Sequence, residues 1–202
     1  MSGLKSFDPQ EEYILEDERV LLKPLRADDW ELFKELPKNE PDIWKYSLVS
    51  IQNEDDLELY FQTALNAREH GNTYAFIVFD KLTQSFVGCT RFYDIQLQNQ
   101  STQLGYTWYA KSTWGSGVNL HCKYLLLQFA FDTIQLERVE FRADYDNKRS
   151  IAAMKKIGCT EEGVLRNHLP KPNGGRRDSI VLSILKKEWQ EKIKEDLLLQ
   201  LK

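Results

Sequence analysis

The hydrophobic period changes twice between Gln103 and Asp144, and no other stretch of the chain constrains the fold as strongly. Gln103–Ala110 reads as a strand. After Trp114-Gly115-Ser116-Gly117, residues Val118, Cys122, Leu125, Leu126, Phe129, Ala130 and Thr133 fall on one face at the 3.6-residue period of an amphipathic helix. Over Glu137–Asp144 the period is two, with Val139, Phe141 and Ala143 set against Glu140, Arg142 and Asp144, which predicts another strand. A strand, a Gly-x-Gly turn and a helix N-terminus together make a cradle for an anion. Glycine lets a ligand approach the backbone with no Cβ in the way, and the first helical turn offers unpaired N–H groups at the positive end of the dipole. The cradle is not a Walker loop, because no Gly-Lys-Ser/Thr follows. It is not a dinucleotide fingerprint either, because the third glycine of GxGxxG is replaced by Leu120. Taken alone, Gly-x-Gly also reads as a plain tight turn.

The remaining elements follow from the same signals. Arg19–Leu25 reads as a strand, and Asp28–Leu36 carries Trp30, Phe33 and Leu36 at helical spacing. Asn53 followed by Glu54-Asp55-Asp56 is a capped helix start, and the helix runs to His70 and stops at Gly71. Thr73–Phe79 is a dense apolar run of the length of a buried strand, with Ser85–Tyr93 as its hairpin partner across Lys81–Gln84. Asn147 precedes a short helix, Arg149–Ile157, stopped by Gly158. Thr160–Leu169 and Arg177–Leu185 are strands joined by Pro170-Lys171-Pro172-Asn173-Gly174-Gly175. From Lys186 the chain is helical, with Trp189, Ile193, Leu197 and Leu201 in an i, i+4 stripe. This order is neither strict βα alternation nor all-β. It predicts an α+β domain around a single mixed, mostly antiparallel sheet flanked by helices.

Composition removes whole classes of function. A chain of 202 residues is long enough for one domain with a full core, without disulfide or metal staples. The longest unbroken apolar run, Tyr74–Phe79, is far short of a membrane span, which needs roughly 20 residues, and Met1–Glu12 has no apolar signal core. A net charge of −4 disfavours general nucleic-acid binding. Cys89, Cys122 and Cys159 are odd in number and form no CxxC, which reads as reduced, buried thiols in a cytoplasmic protein. His70, His121 and His168 show no zinc spacing, so no metal is expected.

Four motifs follow one another at fixed spacing: Trp114-Gly115-Ser116-Gly117, Asn147-Lys148-Arg149-Ser150 with Gly158 eleven residues after Asn147, Glu162-Gly163-Val164-Leu165-Arg166, and a late Arg177-Asp178 strand ending near Glu188-Trp189. On these motifs the chain resembles, over residues 17–190, the GCN5-related N-acetyltransferases, and among them the RimJ/RimL-like branch. The resemblance places an N-terminal extension at 1–16 and a C-terminal helical extension at 191–202, and allows a monomer or a homodimer. It implies binding of acetyl-CoA and transfer of its acetyl group to an amine, with no nucleic acid or membrane partner. Its strand before the glycine loop splays from a neighbour, so that the backbone at Trp108 and Tyr109 pairs with the pantetheine arm. The amides of Thr113, Trp114, Gly115, Ser116, Gly117 and Val118 hold the pyrophosphate, and Asn147 reaches the pantetheine. Ser150 lies near the sulfur. The family often places a tyrosine four positions later as the acid for the departing thiolate. Here that position is Met154, which cannot donate, so Ser150 is the candidate catalytic residue and no base is assigned. The missing acid keeps a second reading open, an acyl-CoA-binding module of the same fold without turnover. A third is a phosphate-binding α+β domain unrelated to acetyl transfer.

Other residues carry a plain reading beside a functional one. His168 is a surface histidine or an acceptor-site group. Arg176-Arg177 is a solvated strand start or a site for an acidic acceptor or a CoA phosphate, and Lys148-Arg149 sits beside Asn147, either as plain surface charge or near the place of a CoA ribose phosphate. Glu140, Arg142 and Asp144 form a strand-face ladder of ion pairs. Trp30, Trp44, Tyr46 and Tyr60 lie where this fold builds its acceptor pocket; Trp30 reads as core, and Trp44-Lys45-Tyr46 as loop-borne.

Overall fold

The computed structural model describes residues 7–202. Among the described residues eight strands form one sheet: β1 (Leu15–Glu16), β2 (Val20–Pro24), β3 (Thr73–Asp80), β4 (Ser85–Gln96), β5 (Ser101–Tyr109), β6 (Arg138–Asp144), β7 (Thr160–Pro170) and β8 (Arg176–Leu185). Their order in space is β1-β2-β3-β4-β5-β6-β8-β7, antiparallel at every junction except β5 with β6. The predicted α+β class with a mixed, mostly antiparallel sheet is what forms.

Helices cover both faces, and β3 shows why its sequence is apolar from Tyr74 to Phe79. Tyr74, Phe76 and Val78 enter one core, and Ala75 and Ile77 the other. The second core is closed by α1 (Glu54–Glu69), which buries Leu57, Tyr60, Phe61 and Ala64. Its Asn53 cap accepts from the Asp56 N–H at 2.9 Å, with three acids in the first turn. The helix expected over Asp28–Leu36 is instead a 3₁₀ turn, Asp29–Phe33, then one α turn, Leu36–Asn39, and a second 3₁₀ turn, Pro41–Trp44. Pro37 and Pro41 lack the N–H a longer helix needs and so confine each piece to a turn. Trp44, read as loop-borne, is buried against Trp108.

The first core lies under α2 (Val118–Gln128), which widens into a π turn over Phe129–Thr133, under α3 (Lys148–Lys156), and under the C-terminal helix. That helix runs through Lys186–Glu188 and a π turn, Trp189–Ile193, into α4 (Lys194–Leu201). Trp189, Ile193 and Leu197 are buried there, and Asp132 fixes the helix by accepting from Trp189 Nε1 at 3.0 Å and Lys194 Nζ at 2.6 Å. Phe7 and Tyr13 also join this core, so the described part of the N-terminal segment packs on the domain. No helix among the described residues is long and apolar enough to cross a membrane.

The sheet opens at its centre. β5 and β6 pair only over Ser101–Gln103 and Arg138–Glu140. Beyond Glu140, β6 stays bonded to β8 as far as Asp144, while the edge of β5 from Leu104 to Tyr109 has no β6 partner. A bulge marks the divergence: Cys89 opposes Trp108 and Arg91 opposes Gly105, so β5 carries one residue more than β4, and Tyr106 takes φ +49°. At Gly88 the two backbones come so close that a Cβ would stand 2.2 Å from the Trp108 carbonyl oxygen.

Candidate active site

The glycine loop sits where β5 ends, and it is held in shape by its own bonds. The Thr113 N–H and Oγ1 both donate to the Ala110 carbonyl at 3.0 and 2.8 Å, the Trp114 N–H to Lys111 at 3.0 Å, and the Ser116 N–H and Oγ to Thr113 at 3.1 and 2.7 Å. Gly115 and Gly117, at φ +78° and +93°, turn the chain into α2. The Gly117 carbonyl accepts from the Leu120 and His121 N–H groups at 2.8 and 3.2 Å. The amides of Gly115, Gly117 and Asn119 donate to no acceptor among the described residues, and Val118 has only a 3.4 Å contact with Ser116 Oγ. Gly115, Ser116 and Gly117 are exposed. The result is a cluster of unpaired donors at the positive end of an 11-residue helix. Of the residues expected here, Thr113, Trp114 and Ser116 spend their amides on the loop, Val118 is buried with its amide on Ser116 Oγ, and Gly115 and Gly117 are exposed with free amides. Asn119 joins them; its amide is legible only from helix geometry, since its side chain says nothing.

Trp108 and Tyr109 lie on the unpaired stretch of β5. The Trp108 ring packs edge-on against Phe33 at 5.0 Å and beside Trp44 at 5.5 Å on the α1 side. The Tyr109 carbonyl accepts from Trp114 Nε1 at 3.1 Å, which ties the strand end to the loop.

α3 closes the opposite wall. The Asn147 Oδ1 accepts from the Ser150 N–H at 3.1 Å, so Asn147 is the helix cap, and its Nδ2 donates to no group among the described residues. Ser150 is half-buried, and its hydroxyl makes no hydrogen bond among the described residues. Met154 is buried in the core. The Arg149 guanidinium lies 3.4 Å from the Trp114 ring centroid, joining the two motifs and placing a cation beside the free amides. Lys148 turns away onto the Tyr145 ring and carbonyl.

On the α1 side, the Tyr60 hydroxyl donates to the Tyr106 carbonyl at 3.3 Å, and burial pushes it up to about 12. Arg91 is buried, with its guanidinium 3.7 Å from the Tyr106 ring centroid and 4.7 Å from that of Tyr60. Trp30 and Tyr46 are half-buried. His168 Nδ1 lies 3.0 Å from Ser179 Oγ, which also accepts from Arg177 Nε at 2.9 Å. Burial, then Arg142, Arg177 and Arg176, hold its imidazole below the usual range and favour the neutral ring. Glu140 pairs with Arg138 and Arg142 at 2.8 and 2.7 Å, the expected ladder, while Asp144 pairs with Lys171 at 3.2 Å instead. The three cysteines are free and buried, and burial pushes each thiol up to about 12, which fits inert thiols. The fold also gathers Asp17, Glu18 and His121, with ligand-capable atoms within 4.8 Å of one another, a grouping with no signature in the spacing. His121 Nδ1 lies 2.7 Å from Asp17 Oδ2.

Comparison with known proteins agrees with this geometry. The family model of the acetyltransferase (GNAT) domain matches residues 19–160. YdaF of Bacillus subtilis (strain 168), provisionally named a ribosomal N-acetyltransferase, is 28% identical over an alignment of 185 positions that covers 86% of this chain and 95% of the relative. The uncharacterized N-acetyltransferase p20 of Bacillus licheniformis is 24% identical over an alignment of 177 positions that covers 85% of this chain and 96% of the relative. Among solved structures, a GCN5-related N-acetyltransferase from Brucella melitensis superposes with a TM-score of 0.87 at 21% identity, covering 96% of this chain and 87% of that one. Mycobacterium smegmatis RimJ in complex with CoA-disulfide superposes with a TM-score of 0.76 at 21% identity, covering 95% of each chain. The sheet that parts beyond Glu140, the donor-rich glycine loop and the family match together show that the chain belongs to the GNAT family of N-acetyltransferases.

Proposed function

We propose that this chain binds acetyl-CoA in the cleft between β5 and β6 and transfers its acetyl group to an amine by direct attack in a ternary complex. The observation that carries the reading is the adjacency of two unsatisfied sets of donors. One is the β5 backbone edge that has no β6 partner from Leu104 to Tyr109; the other is the amide cluster of Gly115, Gly117 and Asn119. A pantetheine arm carries amides that complete a strand edge, and a pyrophosphate suits the helix N-terminus. Arg149 on Trp114 adds positive charge at the same mouth. RimJ, a structure of the same fold, is known with a CoA-disulfide, which supports the choice of ligand.

In this reading Thr113, Trp114 and Ser116 keep the loop in shape, and a backbone N–H of the free β5 edge stabilises the oxyanion. Asn147 offers its Nδ2 to the pantetheine. The Ser150 hydroxyl hydrogen-bonds the sulfur as the C–S bond breaks. The amine approaches from the α1 side, past Tyr60, Tyr106 and Arg91, and alignment with the thioester supplies much of the rate. The acceptor is the amine of a protein N-terminus or of a small molecule, and the buried free thiols fit a protein of the reducing cytoplasm.

The test is release of free CoA thiol from acetyl-CoA over a panel of primary amines and N-terminal peptides, with the product mass confirming acetylation. Peptides of ribosomal-protein N-termini come first, because YdaF carries a ribosomal name. Amine-dependent release is the expected result. Tight acetyl-CoA binding with no release against any acceptor contradicts the transfer reading.

A further inference from the structure

One buried cation stands apart from the groups that line the cleft. Lys123 on α2 is only 5% exposed, yet it forms no ion pair among the described residues. Its Nζ makes a single hydrogen bond, donated to Thr107 Oγ1 at 3.0 Å; Thr107 Oγ1 in turn lies 2.7 Å from Thr90 Oγ1. Thr107 belongs to the stretch of β5 that has lost its β6 partner, and Nζ is also 5.8 Å from the ring centroid of Phe141, the first β6 residue beyond the last pair. Lys123 therefore spans the parting of the two strands from beneath.

A lone buried ammonium is costly, since it gives up hydration with no countercharge to replace it. The groups around it offer none. β5 and β4 present Thr107 and Thr90, and β6 presents Phe141. The titratable neighbours are Cys122 on its own helix and Cys159 beyond α3, thiols that burial pushes up to about 12. A charge kept in such a place fits a negative charge that arrives during the working cycle.

We propose that Lys123 is a catalytic residue of the acetyl transfer, its ammonium meeting the sulfur of the departing CoA where β5 and β6 part. The inference rests on the acetyl-CoA reading above. In the step, the amine nitrogen bonds to the thioester carbonyl carbon, and the C–S bond breaks with its electron pair going to sulfur. Lys123 Nζ gives a proton to that sulfur. The acceptor nitrogen loses one proton to solvent, and Lys123 recovers one from solvent, so the transfer yields an amide and a free thiol. Burial holds the Lys123 amine at about 8, close to a thiol's ordinary value near 8.5, so the proton moves between groups of matched acidity. Ser150 can hydrogen-bond the sulfur, but a serine hydroxyl is too weak an acid to neutralise it. Met154, at the position where the family often has tyrosine, cannot donate at all.

The experiment uses the intact protein with lysine labelled at ¹³Cε, observed by NMR with saturating CoA or with desulfo-CoA, which lacks the sulfur. CoA is expected to shift the Lys123 resonance and raise the pH at which it titrates, and desulfo-CoA to leave that titration in place. Equal effects of the two ligands overturn the proposal. A spectrum that neither ligand changes anywhere overturns the acetyl-CoA reading itself. Turnover gives the second arm: Lys123→Met is expected to lower kcat about 10²- to 10⁴-fold. It should leave KM for acetyl-CoA nearly unchanged, remove the fall in kcat above about pH 8, and raise the melting temperature, because an unpaired buried charge has gone. A variant with kcat within about twofold of the parent, whatever its melting temperature, overturns the role.

Discussion

Substituting Gly117 by alanine separates what the backbone of the loop costs from what its amides do. Gly117 sits at φ +93° and ψ −19°, and a Cβ built there meets only His121 Cδ2, at 4.0 Å. No clash forces a rearrangement of the protein without ligand. The stability cost is therefore the left-handed backbone alone, about 1–2 kcal/mol, or a melting temperature lower by roughly 2–8 °C for a chain of this size. The binding cost arises separately. In the acetyl-CoA reading, the open space in front of Gly117 is where phosphate oxygens come within about 3 Å of the amides of Gly115, Gly117 and Asn119. Hydrogen bonds to a charged group contribute about 1.5–3 kcal/mol each, so losing one weakens acetyl-CoA binding at least tenfold. The bulkier Gly117→Val should lose more. Gly174→Ala is the control, since Gly174 in the β7–β8 loop has φ +90° and an added Cβ there meets nothing within 4 Å. Calorimetric titration and thermal melts of both variants decide the matter. Similar melting losses, with weakened acetyl-CoA binding only at Gly117, are predicted. Unchanged affinity in Gly117→Ala and Gly117→Val would refute the cradle.

Three further outcomes follow from contacts around the cleft. Ser150→Ala should lower kcat ten- to a hundredfold, within the range for a lost hydrogen bond to a charged group, with little change in melting temperature. It is Asn147, not Ser150, whose side chain caps α3; equal kcat in the variant removes Ser150 from the chemistry. Asn147→Ala should destabilise by about 1 kcal/mol through loss of that cap, read in a denaturant titration; no loss at all contradicts the capping role. Glu162 is held down to about 2 by Arg138 and by Ser183. Its stabilising contribution is complete above the ordinary carboxylate value near 4.3 and disappears as the pH falls through about 2. The stability gap between the parent and Glu162→Gln should therefore close over that window, and a gap independent of pH contradicts the assignment.

Much of this architecture is written in local signals, and the parts that are not have identifiable causes. Asn53 with its three following acids marks the start of α1 because capping and dipole are properties of one turn. The unbroken apolar run Tyr74–Phe79 in β3 announces burial on both faces. The glycine loop is legible because left-handed backbone and close approach select glycine. The parting of β5 from β6 is implied only by the family resemblance, because no local signal says which strands are neighbours. The bulge behind it places Tyr106, a non-glycine, at positive φ. Between residues 28 and 44 two local signals compete: the helical spacing of Trp30, Phe33 and Leu36 favours one helix, and the prolines at 37 and 41 oppose it. The chain keeps the apolar contacts and breaks the helix. Lys123 is hidden for another reason. A lysine in an amphipathic helix reads as part of the solvated face, and only the tertiary fold shows it beneath the sheet, bonded to Thr107.

The most direct test of the central claim is the thermal melt of the full chain with acetyl-CoA, run beside NAD and ATP at equal concentration. At a hundred times its Kd, acetyl-CoA should add about 2.7 kcal/mol, a rise of roughly 5–10 °C for a chain of this size, while NAD and ATP leave the curve in place. A melting curve unmoved by saturating acetyl-CoA contradicts the account.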